Sequence, residues 1–280
     1  MIIWEYIKSI ILGIVEGITE WLPISSTGHM ILLDEFIRLD MSDEFKELFF
    51  VVIQLGAIFA VPTLFFHKLN PFSKTKSKEE KNSTWQLWGK VIVGALPAAV
   101  IGVLLDDFFD EYFYNYFVVA IALIVYGIAF ILIESRKNET SFRVEKVEDL
   151  SYTDALKIGT YQVLSLIPGT SRSGSTILGG MLSGVSRTAS AEFSFFMAMP
   201  IMLGASALKI FKFILEGFTA GSDEIMLLIV GIVVSYLVSV VAIKFLMDFV
   251  KRHDFKPFGI YRIVLGALVL GYFLIKTLVL

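Results

Sequence analysis

Six long apolar segments alternate with short polar segments along this chain. They cover residues 49–66, 87–105, 116–133, 193–211, 225–246 and 260–275. Most of them approach the roughly 20 residues that an α-helix needs to cross the hydrocarbon core of a bilayer. The pattern therefore predicts an all-α, polytopic membrane protein with six spanning helices.

Two polar segments interrupt apolar sequence and resemble each other at a separation of 146 residues. The first, GIVEGITEWLPISSTGH, covers residues 13–29, and the second, GTYQVLSLIPGTSRSGS, covers residues 159–175. In this register three positions differ in chemistry: Glu20 against Leu166, Ser26 against Arg172, and His29 against Ser175. Because charged groups in apolar surroundings are costly and mark functional sites, the repeat predicts one site built from both halves of the chain.

Charges in the connecting loops assign the two sides of the membrane. Loops 67–84, 135–157 and 244–257 are rich in lysine and arginine, whereas loops 106–115 and 215–224 carry acids and neither basic residue. The positive-inside rule places the three basic loops in the cytoplasm and the two acidic loops outside. The first polar segment then enters the membrane from the outside and the second from the inside.

This arrangement is typical of an inverted-topology repeat. We predict a first repeat over residues 1–145 and a second over residues 146–280, within one membrane domain. Each repeat would hold a helical hairpin and three spanning helices, about ten helices in all. The apolar arms of the first hairpin, residues 2–15 and 30–37, are too short to span, and its polar tip needs shielding by protein. We therefore predict that the hairpins are re-entrant.

The composition supports a membrane protein and excludes several functions. Hydrophobic residues make up 56% of the 280-residue chain and charged residues only 18%, below the share typical of soluble domains. Cysteine is absent, which excludes disulfides and thiolate catalysis, and a net charge of −3 offers no basic face for nucleic acid. We expect the N-terminus to belong to the mature protein and residues 70–83 and 135–150 to be flexible cytoplasmic loops.

Glu16 and Glu20 are spaced i, i+4 and therefore share one face of a helix, which Pro23 is expected to end. Two carboxylates so close in apolar surroundings repel each other unless a cation lies between them. The pair indicates a divalent-metal site or a general acid/base pair. A solvated face at the membrane interface is the alternative, which the apolar flanking sequence disfavours.

Each polar segment contains a Ser/Thr-Gly tip that precedes a second helix. Such a cluster is also an ordinary N-cap, but its occurrence in both segments predicts two facing helix N-termini. Their free N–H groups and positive dipole ends suit an anion, which glycine would let approach the backbone closely. The tip residues are Ser25, Thr27 and Gly28 in the first segment and Ser171, Ser173 and Gly174 in the second.

Arg172 and His29 are the strongest catalytic candidates. The planar guanidinium of Arg172 fits phosphate oxygens, and the alternative is a salt bridge to Glu16 or Glu20 that would join the two repeats. His29 directly follows the first tip, whereas the other two histidines adjoin basic loops. We therefore favour His29 as nucleophile or general acid/base over a purely structural role, with Ser26 as the competing nucleophile.

The segments EGITEWLPISSTGH and PGTSRSGST resemble the signature regions of the undecaprenyl-diphosphate phosphatases of the bacitracin-resistance type. The resemblance extends over the whole chain in length, motif positions and hydrophobic profile. It implies an enzyme of the bacterial cell membrane that hydrolyses undecaprenyl diphosphate to undecaprenyl phosphate, the lipid carrier for cell-wall polymers, and thereby confers bacitracin resistance. It also implies an active site open to the outer face and a divalent cation, magnesium or calcium, as cofactor.

The resemblance places the family's acidic pair on Glu16 and Glu20, its histidine on His29 and its arginine on Arg172. The family's hydroxyl residues fall on Ser25, Ser26, Thr27, Ser171, Ser173 and Thr176. We predict that Arg172 and the helix N-termini bind the diphosphate while a metal at Glu16 and Glu20 neutralises it. His29 or Ser26 would attack the terminal phosphorus, or His29 would activate a water molecule.

Two other functions are alternatives. An inverted-repeat secondary transporter or flippase for an anionic lipid has the same topology, although chemistry in one half explains why Glu20 and His29 have no counterpart in the other. A second class of membrane phosphatase needs an upstream K-x6-R-P motif that this chain lacks. The expected partners are the prenyl diphosphate substrate and membrane lipids, without nucleic acid; the oligomeric state is open, with a homodimer as one alternative.

Overall fold

A computed structural model describes residues 2–136 and 142–279 of the chain. Its α-helices are α1 Ile2–Thr19, α2 Ser26–Phe36, α3 Asp43–Leu64, α4 Phe66–Leu69, α5 Lys78–Phe113, α6 Tyr116–Arg136, α7 Tyr152–Gln162, α8 Arg172–Leu182, α9 Arg187–Leu215, α10 Ser222–Val250 and α11 Lys256–Val279. Among the described residues, six helices are long and apolar enough to cross a membrane: α3, α5, α6, α9, α10 and α11. The predicted all-α membrane fold with six spans is confirmed.

Two helical hairpins, α1–α2 and α7–α8, each precede three of these long helices. Helices α2, α7 and α8 contain 11 residues each, about 16 Å of helix, which is half the thickness of the hydrocarbon core. Helix α1 is longer than the predicted arm, with 18 residues. The division of the chain into two inverted repeats stays a prediction.

The prediction that Pro23 ends the first helix is wrong, because α1 ends at Thr19. The residues that follow form a turn instead of a further helical turn. Their carbonyl groups accept hydrogen bonds from the second hairpin and from α11: those of Glu20 and Leu22 from Ser173, and that of Pro23 from Arg262. Tertiary contacts therefore satisfy carbonyl groups at the end of the helix that have no helical partner.

A serine is the N-cap residue of most of the helices that position the site. A serine at the N-cap accepts a hydrogen bond from a backbone N–H of the first turn, which satisfies a donor that has no partner within the helix. This cap occurs before α2, α3, α5, α7, α8 and α9, at Ser25, Ser42, Ser77, Ser151, Ser171 and Ser186. The starts of both short second arms are thus set by local sequence.

Glycines let α1 lie directly against α10. A Cβ atom on Gly13 would lie 2.8 Å from the carbonyl oxygen of Gly231, and one on Gly17 would lie 2.8 Å from that of Ser235. Small residues at helix interfaces allow such close packing in membrane proteins. Glu16 lies between the two glycines in sequence, so this contact fixes the position of the helix that carries the first carboxylate.

Residues 70–83 are not the flexible loop that we predicted. Helix α5 already begins at Lys78, and the side chain of Lys76 is buried. Its ammonium group donates to the carbonyl oxygen of Lys68 at 3.2 Å and to the hydroxyl of Thr84 at 2.7 Å. A buried ammonium needs such partners, and these bonds fasten the loop to α4 and α5.

The second predicted flexible loop, residues 135–150, is also ordered where it is described; residues 137–141 lie outside the described part. Val144 forms a parallel β-bridge with Val185 after α8. Val144 and Leu150 are buried, with 4% and 2% of their surface exposed. The burial of these apolar side chains against the core overrides the polar character of the segment.

Helix α5 also includes most of the predicted acidic outer loop, residues 106–115. The helix runs to Phe113, and its backbone departs from helical geometry at Leu105, where φ is −124° and ψ is 18°. The apolar span therefore ends at a kink and continues as a polar helical extension.

Candidate active site

The tips of the two hairpins contact each other. Ser173 at the start of α8 donates its hydroxyl to the carbonyl oxygens of Glu20 and Leu22, both at 3.2 Å. Arg172 forms an ion pair with Glu20, with 2.8 Å between Nη2 and Oε1. Residues about 150 positions apart in sequence thus form one polar cluster, as the repeat predicts. The salt bridge predicted as the alternative role of Arg172 is therefore present, and its partner is Glu20.

Arg262 on α11, which belongs to neither hairpin, forms hydrogen bonds with both tips. Its side chain is fully buried, and its guanidinium donates to the carbonyl oxygen of Pro23 at 3.2 Å and to those of Gly169 and Thr170 at 2.9 Å. It also lies 5.6 Å from the ring centroid of Tyr126, at cation–π distance. One side chain therefore fixes the turn before α2 and the turn before α8 together.

Both tips have the same backbone geometry. Ser25 and Ser171 have φ values of 73° and 72°, in the left-handed region that non-glycine residues seldom adopt. Their side chains accept the N–H groups of Gly28 and Gly174, at 3.3 and 3.1 Å. The N-cap role weighed for these serines is thus present, and both hydroxyls are engaged with the protein.

Arg172 is held at both ends of its guanidinium. Nη1 donates to the carbonyl oxygen of Ser194 at 2.8 Å and to its hydroxyl at 3.2 Å, while Nη2 binds Glu20. The group also lies 5.5 Å from the ring centroid of Trp21. Thr176 donates to the hydroxyl of Ser194 at 2.7 Å. The predicted substrate residues Ser173 and Thr176 thus support the cluster from within the protein.

Ser26 belongs to the same cluster. Its hydroxyl donates to Oε2 of Glu20 at 3.0 Å, so one carboxylate accepts from Ser26 on one oxygen and from Arg172 on the other. Glu16, one helical turn earlier, is 1% exposed, and its Oε1 has no hydrogen-bond partner among the described residues. A buried carboxylate oxygen without a partner is costly and indicates a ligand at that point.

A cavity of about 610 Å³ opens beside this cluster. The first arm contributes Glu16, and α2 contributes a stripe with helical spacing. The lining comprises Glu16, Ser26, Thr27, Met30, Ile31, Asp34, Glu35, Arg38, Asp43, Lys46, Glu47, Phe50, Val51, Gln54 and Tyr114. Its mixture of apolar and charged side chains suits a ligand with a hydrocarbon chain and a charged head. Of the predicted site residues, Glu16, Ser26 and Thr27 lie at this cavity.

His29 lies on a different face of α2 and is not part of the cavity lining. Its Nδ1 is 2.7 Å from the carbonyl oxygen of Ser25, and its Nε2 is 2.7 Å from the hydroxyl of Tyr261 on α11. Within the described part of the chain, no hydrogen bond joins His29 to Ser26 or Glu20. The structure therefore places the two candidate nucleophiles in different surroundings.

The two tip glycines pack against protein. A Cβ atom on Gly28 would lie 3.0 Å from Cδ1 of Leu123 on α6, and one on Gly174 would lie 3.1 Å from Nη1 of Arg262. The space that glycine leaves at these positions is filled by neighbouring side chains. The expected close approach of an anion to these backbones stays a prediction.

Sequence reasoning missed several residues around the site. Arg262 and Gln54 are polar residues inside the apolar runs 260–275 and 49–66, so the cost of placing them in a membrane could have identified them, as it did Glu16. Ser194 and Tyr261 carry no such signal. Their roles depend on contacts that only the folded chain reveals.

Comparisons with known proteins agree along almost the whole chain. The family model described as "Bacitracin resistance protein BacA" matches residues 9–268. The chain is 60% identical to an undecaprenyl-diphosphatase of Enterococcus faecalis over 267 residues, covering 95% of this chain and 97% of that protein. It is 55% identical to one of Desulfitobacterium hafniense, with both chains covered completely, and 57% identical to one of Acetivibrio thermocellus, with 96% and 98% covered.

Proposed function

This chain belongs to the bacitracin resistance protein BacA family, and from that premise we propose how its residues catalyse the reaction. The protein is a multi-pass membrane hydrolase that converts undecaprenyl diphosphate to undecaprenyl phosphate and inorganic phosphate. The observation that supports our catalytic assignment is the chain of contacts from Ser26 through Glu20 to Arg172 beside the cavity. No observation on the described residues favours the transporter alternative.

Ser26 is our proposed nucleophile. It lines the cavity, and its hydroxyl already donates to Glu20, whereas His29 lies outside the lining. As Oγ of Ser26 bonds to the terminal phosphorus, Glu20 accepts the hydroxyl proton, the bridging P–O bond breaks, and undecaprenyl phosphate leaves with the electron pair. Water then attacks the phosphoserine, Glu20 returns the proton to Oγ as the Oγ–P bond breaks, and phosphate leaves.

Arg172 changes partners in this proposal. Without substrate it is paired with Glu20, so the guanidinium occupies Oε1 of that carboxylate. The terminal phosphate offers the planar guanidinium a better-matched, more highly charged partner. When Arg172 turns to the phosphate, Oε1 of Glu20 becomes available to another ligand, while Oε2 keeps the bond from Ser26 and can act as the base. Ser194 keeps the other end of the guanidinium in place.

A divalent cation, magnesium or calcium, fits the acidic pair. The fit rests on Glu16, whose buried Oε1 has no partner among the described residues. Glu16 and Glu20 would hold the ion, which would neutralise charge on the diphosphate when bound. In the described part of the chain, no group of three or more His, Cys, Asp or Glu side chains is placed so that it could hold a metal ion. Diphosphate oxygens and water would therefore complete its oxygen shell.

The cavity would hold the head of the lipid and the first part of its prenyl chain. Met30, Ile31, Phe50 and Val51 provide apolar surface next to the polar cluster. The loop charges support our proposal that the cavity opens at the outer face of the bacterial cell membrane. The homodimer also stays a prediction, which native mass spectrometry in the assay detergent would test.

The test is phosphate release from undecaprenyl diphosphate by the purified protein in detergent, where transport cannot occur. Ser26→Ala should lower turnover at least about 100-fold, and Ser73→Ala in the cytoplasmic loop is the matched control. Acid quenching with label in the terminal phosphate should trap an acid-stable phosphoserine. An acid-labile phosphohistidine, or Ser26→Ala with turnover near wild type, would overturn the assignment of Ser26.

A further inference from the structure

The hydrogen bonds of His29 fix which of its ring nitrogens carries a proton. The carbonyl oxygen of Ser25 can only accept, so Nδ1 at 2.7 Å must donate to it. In the neutral ring Nε2 then holds a lone pair, and the hydroxyl of Tyr261 at 2.7 Å must donate to that nitrogen. The three residues form one directed chain from Tyr261 through His29 to Ser25.

This series of hydrogen bonds ends at a strained turn, the one at Ser25. Ser25 has a φ of 73° and a ψ of 101°, a conformation that persists only where the surroundings enforce it. The next residue is Ser26, whose hydroxyl is bonded to Glu20 at the cavity. The Ser25 carbonyl belongs to the peptide bond between Ser25 and Ser26. A change in its orientation would therefore rotate that peptide and move Ser26.

The second hairpin supports the same strained turn by different means. Ser171 has an almost identical φ of 72°, but its carbonyl oxygen accepts the backbone N–H of Ser175 at 3.0 Å. Ser175 occupies the position of His29 in the repeat register. In the first hairpin the carbonyl oxygen of Ser25 instead accepts the Nδ1–H group of His29, and His29 is itself held by Tyr261 on α11.

The rings of Tyr261 and His29 are also parallel. Their centroids are 5.6 Å apart and their planes differ by 8°, an offset-stacked arrangement that restricts rotation of the imidazole. Tyr261 precedes the buried Arg262, which binds the carbonyl oxygen of Pro23 in the same turn. Helix α11 thus contacts α2 and the turn before it through two adjacent residues.

We propose that Tyr261 is a positioning residue: its hydroxyl orients His29, and His29 holds the strained Ser25 turn that presents Ser26 to the substrate. This inference rests on the proposed function only in taking Ser26 as the group that reaches phosphorus. It assigns His29 a donor role at Nδ1, and it predicts that removing the Tyr261 hydroxyl affects turnover more than substrate binding.

A double-mutant cycle tests whether Tyr261 acts through His29. Tyr261→Phe keeps the stacked ring and removes the hydroxyl, and it should lower kcat by roughly 5- to 10-fold, the size of one hydrogen bond, with KM changed by less than about 2-fold. His29→Asn retains a donor near Nδ1 and lacks the Nε2 acceptor, so adding Tyr261→Phe to it should have no further effect. Tyr236→Phe on α10, whose hydroxyl is 3.3 Å from that of Thr63, is the matched control.

A spectroscopic measurement separates this inference from the proposed function. The chain has three histidines, so replacing His67 and His253 by Gln leaves His29 alone for ¹⁵N NMR of labelled imidazole. Nδ1 should be protonated, and the Nε2 resonance should move toward that of a free imidazole nitrogen in Tyr261→Phe. These results would support the chain of contacts even if Ser26→Ala remained active, an outcome that would reject only the nucleophile.

Two outcomes would overturn the inference. One is an Nε2 resonance that is the same in Tyr261→Phe and in the protein with Tyr261. The other is a Tyr261→Phe effect on kcat that is equally large in the His29→Asn background, because Tyr261 would then act independently of His29.

Discussion

Arg262→Met should separate the two hairpin tips and lower both stability and activity. The guanidinium donates three charge-assisted hydrogen bonds, to the carbonyl oxygens of Pro23, Gly169 and Thr170. Bonds of this kind contribute about 1.5–3 kcal/mol each. Removing the buried charge also removes its desolvation cost, so we expect a net loss of roughly 3–5 kcal/mol. At ~2 °C per kcal/mol this corresponds to a melting midpoint lowered by roughly 6 °C or more.

The assay is thermal unfolding in detergent followed by tryptophan fluorescence, together with phosphate release. Turnover should fall about 100-fold, because a shift of about 1 Å between reacting groups has an effect of that size. Arg262→Lys keeps the charge but lacks the planar fork, so it should be intermediate. Arg252→Met, in the exposed turn after α10, is the matched control. A midpoint within about 1 °C of wild type, with normal turnover, would refute the role of Arg262 in joining the tips.

Three further predictions concern other parts of the molecule. Glu16→Gln should abolish the response of phosphate release to added magnesium after chelation, and a response equal to wild type would rule out Glu16 as a ligand. Gly13→Leu should lower the melting midpoint, because its side chain would meet a backbone carbonyl of α10 at 2.8 Å, whereas Gly204→Leu, with nothing within 4 Å, should not. Burial raises the pKa of Asp154, but its hydrogen bonds, chiefly from Arg143, more than offset this and lower the pKa below its usual value of 3.8. Asp154 should therefore stabilise the fold above about pH 4 and lose this effect as the pH falls further, and Asp154→Asn should weaken that acid dependence of the melting midpoint.

Much of the membrane architecture could be predicted from the sequence. The six spans follow from apolar length, and the starts of α2 and α8 follow from serine N-caps at Ser25 and Ser171. The ion pair between Arg172 and Glu20 could also be anticipated, because an unpaired charge in apolar surroundings is too costly to remain unpartnered. These features depend on local composition and on the membrane environment.

Other features could not be predicted from local sequence. The motif STGH places Ser26 and His29 three residues apart, yet Ser26 lines the cavity while His29 pairs with Tyr261 on α11. Which face of a short helix meets a cavity depends on how neighbouring helices pack. The same reason explains the early end of α1, whose following turn gives its carbonyl groups to Ser173 and Arg262.

The sequence by itself determined that this protein is an all-α membrane enzyme with one polar site assembled from two similar segments. Apolar length, charge asymmetry and the cost of buried charges are sufficient for the membrane fold and the polar site, whereas the enzymatic activity followed from the resemblance of the two motifs to a known family. Only the tertiary structure decided how the site is organised: Arg172 and Ser26 share Glu20, Arg262 joins the tips, and His29 turns toward α11. Apart from the bond between Ser26 and Glu20, these contacts join residues more than 90 positions apart and arise from helix packing, which no short stretch of sequence encodes.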